Sequence, residues 1–331
     1  MAGIRIALEA SVAGAPLWAW LAFLAIVVGL VALDLGVFHK EEREIGLRES
    51  LWTSLAYVAV AAAFGGWIWW ELGSDAGLKF FTGYFIEKSL SLDNIFVISL
   101  VFGYFAIPRA YQHRVLFWGI IGVLLMRAVL IGLGTALVHR FDWMLPVFGA
   151  LLMVAAWRML LGDHDEASVS EGKILDQLRR KFPITPELHG RAFVVRLPDA
   201  DDPARTTLWI TPLFVALILV EVADAIFALE SVPAILAITQ EPYLVYTSNV
   251  FAVLGLRAMY FALAALVERF AYLKHTLALI LAFVGAKIFY NQLGGHLHPG
   301  VSLVIILSLM AAGILLSLWK SGEKAARAQR V

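Results

Sequence analysis

The chain contains no cysteine. Disulfides, thiolate catalysis and thiolate metal sites are therefore excluded, and oxygen and imidazole remain as metal donors. Charge is scarce too. Only 16% of the 331 residues are Asp, Glu, Lys or Arg, and 26 basic residues balance 26 acidic ones, so a basic surface for nucleic acid is unsupported. There is no G-x-x-x-x-G-K-[ST] run to cradle a nucleotide and no H-E-x-x-H pair to hold a hydrolytic zinc. These absences argue against an enzyme.

What is present is apolar surface: 61% hydrophobic residues and a mean hydropathy of +0.80, both far outside the soluble globular range. Apolar runs long enough to cross a bilayer, which takes about 20 residues, lie near 17–38, 51–70, 79–105, 114–138, 142–161, 208–238, 246–267, 275–292 and 300–319. Trp18, Trp20, Trp67, Trp69, Trp70, Trp118, Trp143, Trp209 and Trp319 gather towards the ends of these runs, where indole suits the headgroup layer. The expected fold is an all-α membrane protein of about nine transmembrane helices. The first run is too long for a signal-peptide core and is followed by charges, so it is expected to be a retained span.

The expected organisation is an external N-terminus (1–16), two N-terminal helices (17–70), a three-helix unit (79–161), a polar insert (162–206), a second three-helix unit (208–292), a final helix (300–319) and a tail (320–331). Within the insert, Gly190–Arg196 and Ala204–Leu208 flank Pro198–Pro203 and read as a small hairpin, with Asp176–Lys181 helical. Lys and Arg set the orientation. Lys40, Arg43, Arg48, Arg109, Arg114, seven in the insert, Arg269, Lys274 and four in the tail make eighteen on one side, against Arg5, Lys79 and Arg140 on the other. That bias puts the N-terminus outside and the insert and C-terminus in the cytoplasm.

Against this apolar background one stretch stands out: Glu87-Lys-Ser-Leu-Ser-Leu-Asp-Asn94. A charge at the centre of a membrane helix costs about 2.5–3.5 kcal/mol even on insertion scales, so something must offset Glu87, Lys88 and Asp93. At about 100° per residue, Glu87, Ser91 and Asn94 share a face and Asp93 lies to one side. Either the helix meets two neighbours there or it is interrupted. The sixth run repeats the pattern. Asp224-Ala-Ile-Phe-Ala-Leu-Glu-Ser231 overlays it acid to acid over six residues; the next runs add Arg127-Ala128 against Arg257-Ala258, and then Arg158 against Lys287. Three spans per copy is an odd number, so the second copy is expected to be inverted, with a site where the copies meet.

Six segments, Ala32–His39, Gly83–Asn94, Tyr111–Gly119, Glu221–Ala234, Thr247–Arg257 and Val267–Lys274, together resemble the TerC/Alx family of bacterial inner-membrane proteins, over about residues 30–315. The resemblance implies a manganese(II) exporter, associated with tellurium resistance and pH-inducible expression, in which the acids of both motifs form the metal route. It also implies a link to metallation of exported enzymes. One departure stands in the second motif, which usually has Asp where this chain has Glu230, and it bears on metal preference.

Mn²⁺ favours about six oxygen ligands, and Glu87, Asp93, Asn94, Asp224, Glu230 and Ser231 supply suitable atoms. Pro233 cannot donate to the carbonyl of Leu229, which could add another. Four carboxylates against Arg127 and Arg257 leave two negative charges, matching one divalent ion, in a count that omits Lys88, Glu221 and Asp34. Arg127 and Arg257 are expected to be counter-ions. Lys88 is a counter-ion or a gate, and Asp34 and Glu221 belong to an access route. Manganese(II) is expected as substrate rather than as a resident cofactor, either exchanged for protons or passing along a channel-like path driven by gradient and potential, with the lipid bilayer as the surroundings. Three alternatives stand beside this: acids that only pair with Arg to hold helices together, a membrane assembly factor that helps metallate or insert membrane or exported metalloproteins, and, more weakly, a hydrolase using Glu87 and Asp93. His296 and His298 could bind metal weakly at the outer end.

Overall fold

The computed structural model describes residues 11–36, 46–141, 143–161, 175–178, 180–198, 206–263 and 272–328. Among these are nine helices of 18 residues or more: α1 (Leu17–Gly36), α2 (Leu47–Leu72), α3 (Ser74–Tyr104), α4 (Arg109–Arg140), α5 (Met144–Leu161), α6 (Pro212–Leu236), α7 (Pro242–Leu263), α8 (Leu273–Gln292) and α9 (Pro299–Ala328). Six of them, α2, α4, α5, α6, α7 and α9, contain stretches long and apolar enough to cross a membrane, and α1 carries a shorter apolar stretch, Leu17–Leu33. The chain is an all-α multi-pass membrane protein.

Proline marks where helices begin. Pro212, Pro242 and Pro299 open α6, α7 and α9, and Pro108 immediately precedes α4. A first-turn N–H has no partner within the helix, so proline loses nothing there. Between α2 and α3 the chain turns on a single residue, Gly73, whose φ of 93° is one that side-chain-bearing residues avoid. Two short hairpins complete the described chain: β1 (Ser11–Val12) with β2 (Ala15–Pro16), and β3 (Val194–Pro198) with β4 (Thr206–Ile210), both antiparallel. The second is the hairpin expected in the insert, shifted a few residues toward the C-terminus. Of the rest of that insert, residues 175–178 and 180–181 are helical, as expected around Asp176–Lys181, while 162–174, 179 and 199–205 lie outside the described residues.

In the packing, α3 lies against α7 and α6, α4 against α6 and α7, and α5 against α8. Helix α2 covers α3 and α7, while α9 covers α3 and α8. Two apolar clusters lie at opposite ends of this bundle. Phe23, Phe64, Phe80, Tyr243 and Phe251 knit α1, α2, α3 and α7 together. Ile98, Phe102, Val115, Leu116, Leu213, Leu219 and Tyr260 join α3, α4, α6 and α7 at the other end, where Ile184 and Phe193 of the insert pack against them. Arg114 adds its guanidinium over the Phe193 ring, 4.9 Å from the centroid, which helps dock the hairpin on α4.

Lys79, His139, Glu241, Asn291 and His296 line one cavity of about 830 Å³ together with Ala13 and Gly14 of the first hairpin. The segments expected to be external therefore gather at one end of the molecule.

Candidate functional site

Polar side chains are buried between the two apolar clusters. Helix α3 runs unbroken from Ser74 to Tyr104, so of the two options open in the sequence the chain takes the first: its polar stretch faces two neighbours. Glu87 turns towards α4 and α7. Its Oε1 pairs with Arg127 Nη1 at 2.5 Å, and its Oε2 accepts a hydrogen bond from Asn249 Nδ2 at 2.9 Å. Arg127 Nη1 also donates to Asn249 Oδ1 at 2.6 Å, closing a triangle of three side chains that are each 1% exposed or less. A carboxylate so held has its charge balanced and both oxygens bonded, which burial in an apolar medium demands.

Two turns along α3, Asn94 faces α6 and donates from Nδ2 to Asp224 Oδ1 at 2.7 Å. Arg127 and Glu87 both lie within electrostatic reach of Asp224, so both ends of the polar stretch belong to one field. Asn94 Oδ1, Ser91 Oγ, Ser231 Oγ and Arg127 Nε are buried and make no hydrogen bond. Such orphaned atoms are uncommon in folded proteins. Three of the four are oxygens of the kind a hard cation takes. Ser231 lies seven residues after Asp224 and so on the same face of α6. Among the described residues, however, no three His, Asp or Glu side chains converge on a common point.

The other expected residues are distributed around this centre. Glu230 is half-buried, and the charge acting on it is that of Arg158 of α5. Glu221 stands one turn before Asp224 and interacts with it electrostatically. Its carboxylate occupies the space left by Gly122 of α4, where any Cβ would overlap it. Lys88 faces α7: its Nζ donates to the Ala252 carbonyl at 3.2 Å and lies beside Gly255, where a Cβ would stand only 2.7 Å away. Arg257 touches His113 and lies over the Phe117 ring, 6.0 Å from the centroid. Asp34 and Asp93 lie on α1 and α3, but their side chains are outside the described part of the molecule. His296 lines the cavity at the end opposite the β3–β4 hairpin, and His298 accepts from the Gly300 N–H at 3.1 Å.

Sequence reasoning missed Asn249. The signal was there in Thr247-Ser248-Asn249, a polar trio inside an apolar run. Thr247 and Ser248 turn back on the carbonyls of Tyr243 and Val245, at 2.7 and 3.2 Å, which leaves Asn249 as the member that reaches across to other helices.

With this geometry in hand, known proteins offer a comparison. Residues 72–325 match the family described as integral membrane protein TerC family. A membrane protein of Myxococcus xanthus, named STKORF319 and uncharacterised, is 44% identical over 302 residues, covering 91% of this chain and 92% of the relative. An uncharacterised membrane protein of Rickettsia felis is 42% identical over 299 residues, covering 90% and 97%. A protein of Photorhabdus laumondii that carries the name membrane-bound redox modulator Alx is 37% identical over 325 residues, covering 96% and 99%. No solved structure matches the chain.

Proposed function

The chain belongs to the TerC family of integral membrane proteins, and we propose that it is a secondary transporter exporting manganese(II) from the cytoplasm through the buried site between α3 and α6. The observation that carries this reading is the cluster itself: Asp224 beside Asn94, with the unpartnered oxygens of Asn94, Ser91 and Ser231, in the middle of the bundle. A carboxylate, an amide oxygen and hydroxyls form a donor set for a hard divalent ion, with no soft ligand to favour copper or zinc.

In this reading all nine helices span the inner membrane, the N-terminus is outside, and α3–α5 and α6–α8 are inverted repeats. The packing supports the repeat. Exchanging α3 with α6, α4 with α7 and α5 with α8 turns the α3–α7 contact into the α6–α4 contact, and maps the α3–α6, α4–α7 and α5–α8 contacts onto themselves. Alternating access follows as rocking of one unit against the other around the site. Proton antiport is chemically natural, because desolvated carboxylates hold protons more tightly.

Within the site, Asp224, Asn94 and Ser231 are the ligands from the described side chains, with Asp93 as a further carboxylate. Glu87, paired with Arg127 in this state, is the carboxylate at the other end of the same site, and Glu221 stands on the cytoplasmic approach. Glu230 is assigned to Arg158 rather than to the metal, because that is the charge it faces. The name redox modulator attached to some relatives does not translate here into thiol exchange, since the chain has no cysteine.

The test is Mn²⁺ flux in proteoliposomes containing only this protein, with lumenal pH followed in parallel. Asp224→Asn removes the charge at nearly constant volume and should abolish flux while the protein remains folded. Flux through Asp224→Asn at the native rate would overturn the site, and no flux through the native protein would overturn export.

A further inference from the structure

We propose that Arg127 is a tethered cation that occupies the seat of the transported ion, so that the Glu87–Arg127 pair and a metal–Glu87 bond are mutually exclusive. The inference rests on the export reading above and assigns the control of that same site.

The geometry starts from Glu87. Both of its oxygens are taken: Oε1 by Arg127 Nη1 at 2.5 Å and Oε2 by Asn249 Nδ2 at 2.9 Å. Hard divalent ions sit about 2.0–2.6 Å from carboxylate oxygens. An ion bound to Oε1 on the side where the guanidinium stands would collide with it. No metal therefore binds Glu87 from that side until Arg127 has moved. The exchange has a physical advantage. A carboxylate buried among helices is costly without a compensating charge, and a guanidinium that leaves as the ion enters keeps Glu87 compensated in both states. An empty carrier must return across the membrane, and a resident cation that neutralises its acid makes that return possible without metal.

Arg127 also keeps an unfilled donor. Its Nε makes no hydrogen bond, and neither does Asn94 Oδ1, whose amide nitrogen is tied to Asp224. Asp224 already feels the charge of Arg127. A guanidinium displaced from Glu87 thus has an unfilled donor of its own and a second acid, Asp224, to lean on, while Asn94 Oδ1 stays with the ion. Asn249, bonded to both members of the pair, is the positioning residue that holds the first state. The related arginine of the second unit is placed differently, against His113 and over Phe117. One arginine inside and one aside is the asymmetry expected when two inverted units take different conformations in one state.

A purely structural ion pair and a tethered cation make different predictions for the purified full-length protein in lipid nanodiscs, followed by thermal unfolding with chelator or with Mn²⁺. Ligand stabilisation grows with the ratio of concentration to Kd. Native protein should be shifted little by Mn²⁺. Arg127→Gln should unfold at a lower temperature in chelator, recover in Mn²⁺ but not in K⁺, and bind Mn²⁺ about tenfold more tightly than native protein, an effect that follows if removing the competing state raises the competent fraction. Arg127→Lys, which refills the seat, should stay near the native affinity. Asn249→Ala keeps both charges and loosens their hold, so its affinity should rise about threefold.

If native protein binds Mn²⁺ while Arg127→Gln is destabilised with no recovery in Mn²⁺, the pair is structural and the proposal is overturned with export intact. The proposal is likewise overturned if Arg127→Gln cannot be obtained folded even in Mn²⁺ throughout and Asn249→Ala binds as native. If native protein neither binds nor transports Mn²⁺, the export reading fails and takes this proposal with it.

Discussion

Asn249 shows how much a single uncharged side chain can decide inside a membrane. It donates to one member of an ion pair and accepts from the other, and removing it leaves a carboxylate oxygen and a guanidinium N–H short of partners, at a cost of about 1–3 kcal/mol for each such group. Glu87 and Arg127 were legible as buried charges that needed partners. That they would choose each other, through an amide on α7, was not, because pairing depends on which faces meet. Glu230 makes the same point from the other direction. Its place in the repeat made it a ligand candidate, yet the charge it faces is Arg158. Shortening it, Glu230→Asp, should therefore leave the ratio of Mn²⁺ to Mg²⁺ flux unchanged, because the metal's nearest oxygens stay where they are. A changed ratio would return Glu230 to the metal.

At the level of elements, the close approaches are made by glycine. A Cβ on Gly285 of α8 would stand 3.0 Å from the Gly149 carbonyl and 3.1 Å from Met153 Cγ, and one on Gly149 would stand 3.2 Å from the Phe289 ring. These two helices pack where neither has a side chain to hold them apart, as membrane helices commonly do. Gly285→Val should force α5 and α8 apart and destabilise the protein by about 1–3 kcal/mol, the usual range for overpacking, read as a lower midpoint in SDS titration. Equal midpoints would mean that the contact yields without cost. Helix boundaries were readable wherever proline sits at a start, as at Pro212, Pro242 and Pro299. They were less readable at α3, which begins at Ser74 rather than at 79, because Asp75 and Lys79 look like loop residues in a hydropathy reading. In the structure Lys79 reaches Asp75 at 2.6 Å one turn away and Glu241 at 3.1 Å, so the first turns of the helix carry their own ion pairs.

For the whole molecule, the arrangement of ends is the testable feature. The loops after α4, α6 and α8 and the start of α3 share the cavity with His139, Glu241, His296 and Lys79, while the β3–β4 hairpin lies with the opposite end of the bundle. The excess of Lys and Arg in the loops at the hairpin end leads to the expectation that this end faces the cytoplasm. A reporter near Leu297 should read external, and reporters near Glu171 and after Val331 cytoplasmic. A cytoplasmic signal at Leu297 would remove the orientation on which export, as opposed to import, depends.

The sequence by itself determined the solvent this protein lives in, its helical architecture and the stretches where charge is buried. Those properties depend on composition and on spacing along the chain: about 20 apolar residues cross a bilayer in any fold, and a charge inside such a run needs a partner whatever that partner is. Only the tertiary structure decided the partners. Glu87 and Arg127 are 40 positions apart in sequence, Asn249 more than a hundred further on, and they meet because α3, α4 and α7 turn particular faces to one another. Which face a helix presents follows from how its side chains fit its neighbours, and the spacing of residues along one helix carries no record of the helix it will meet.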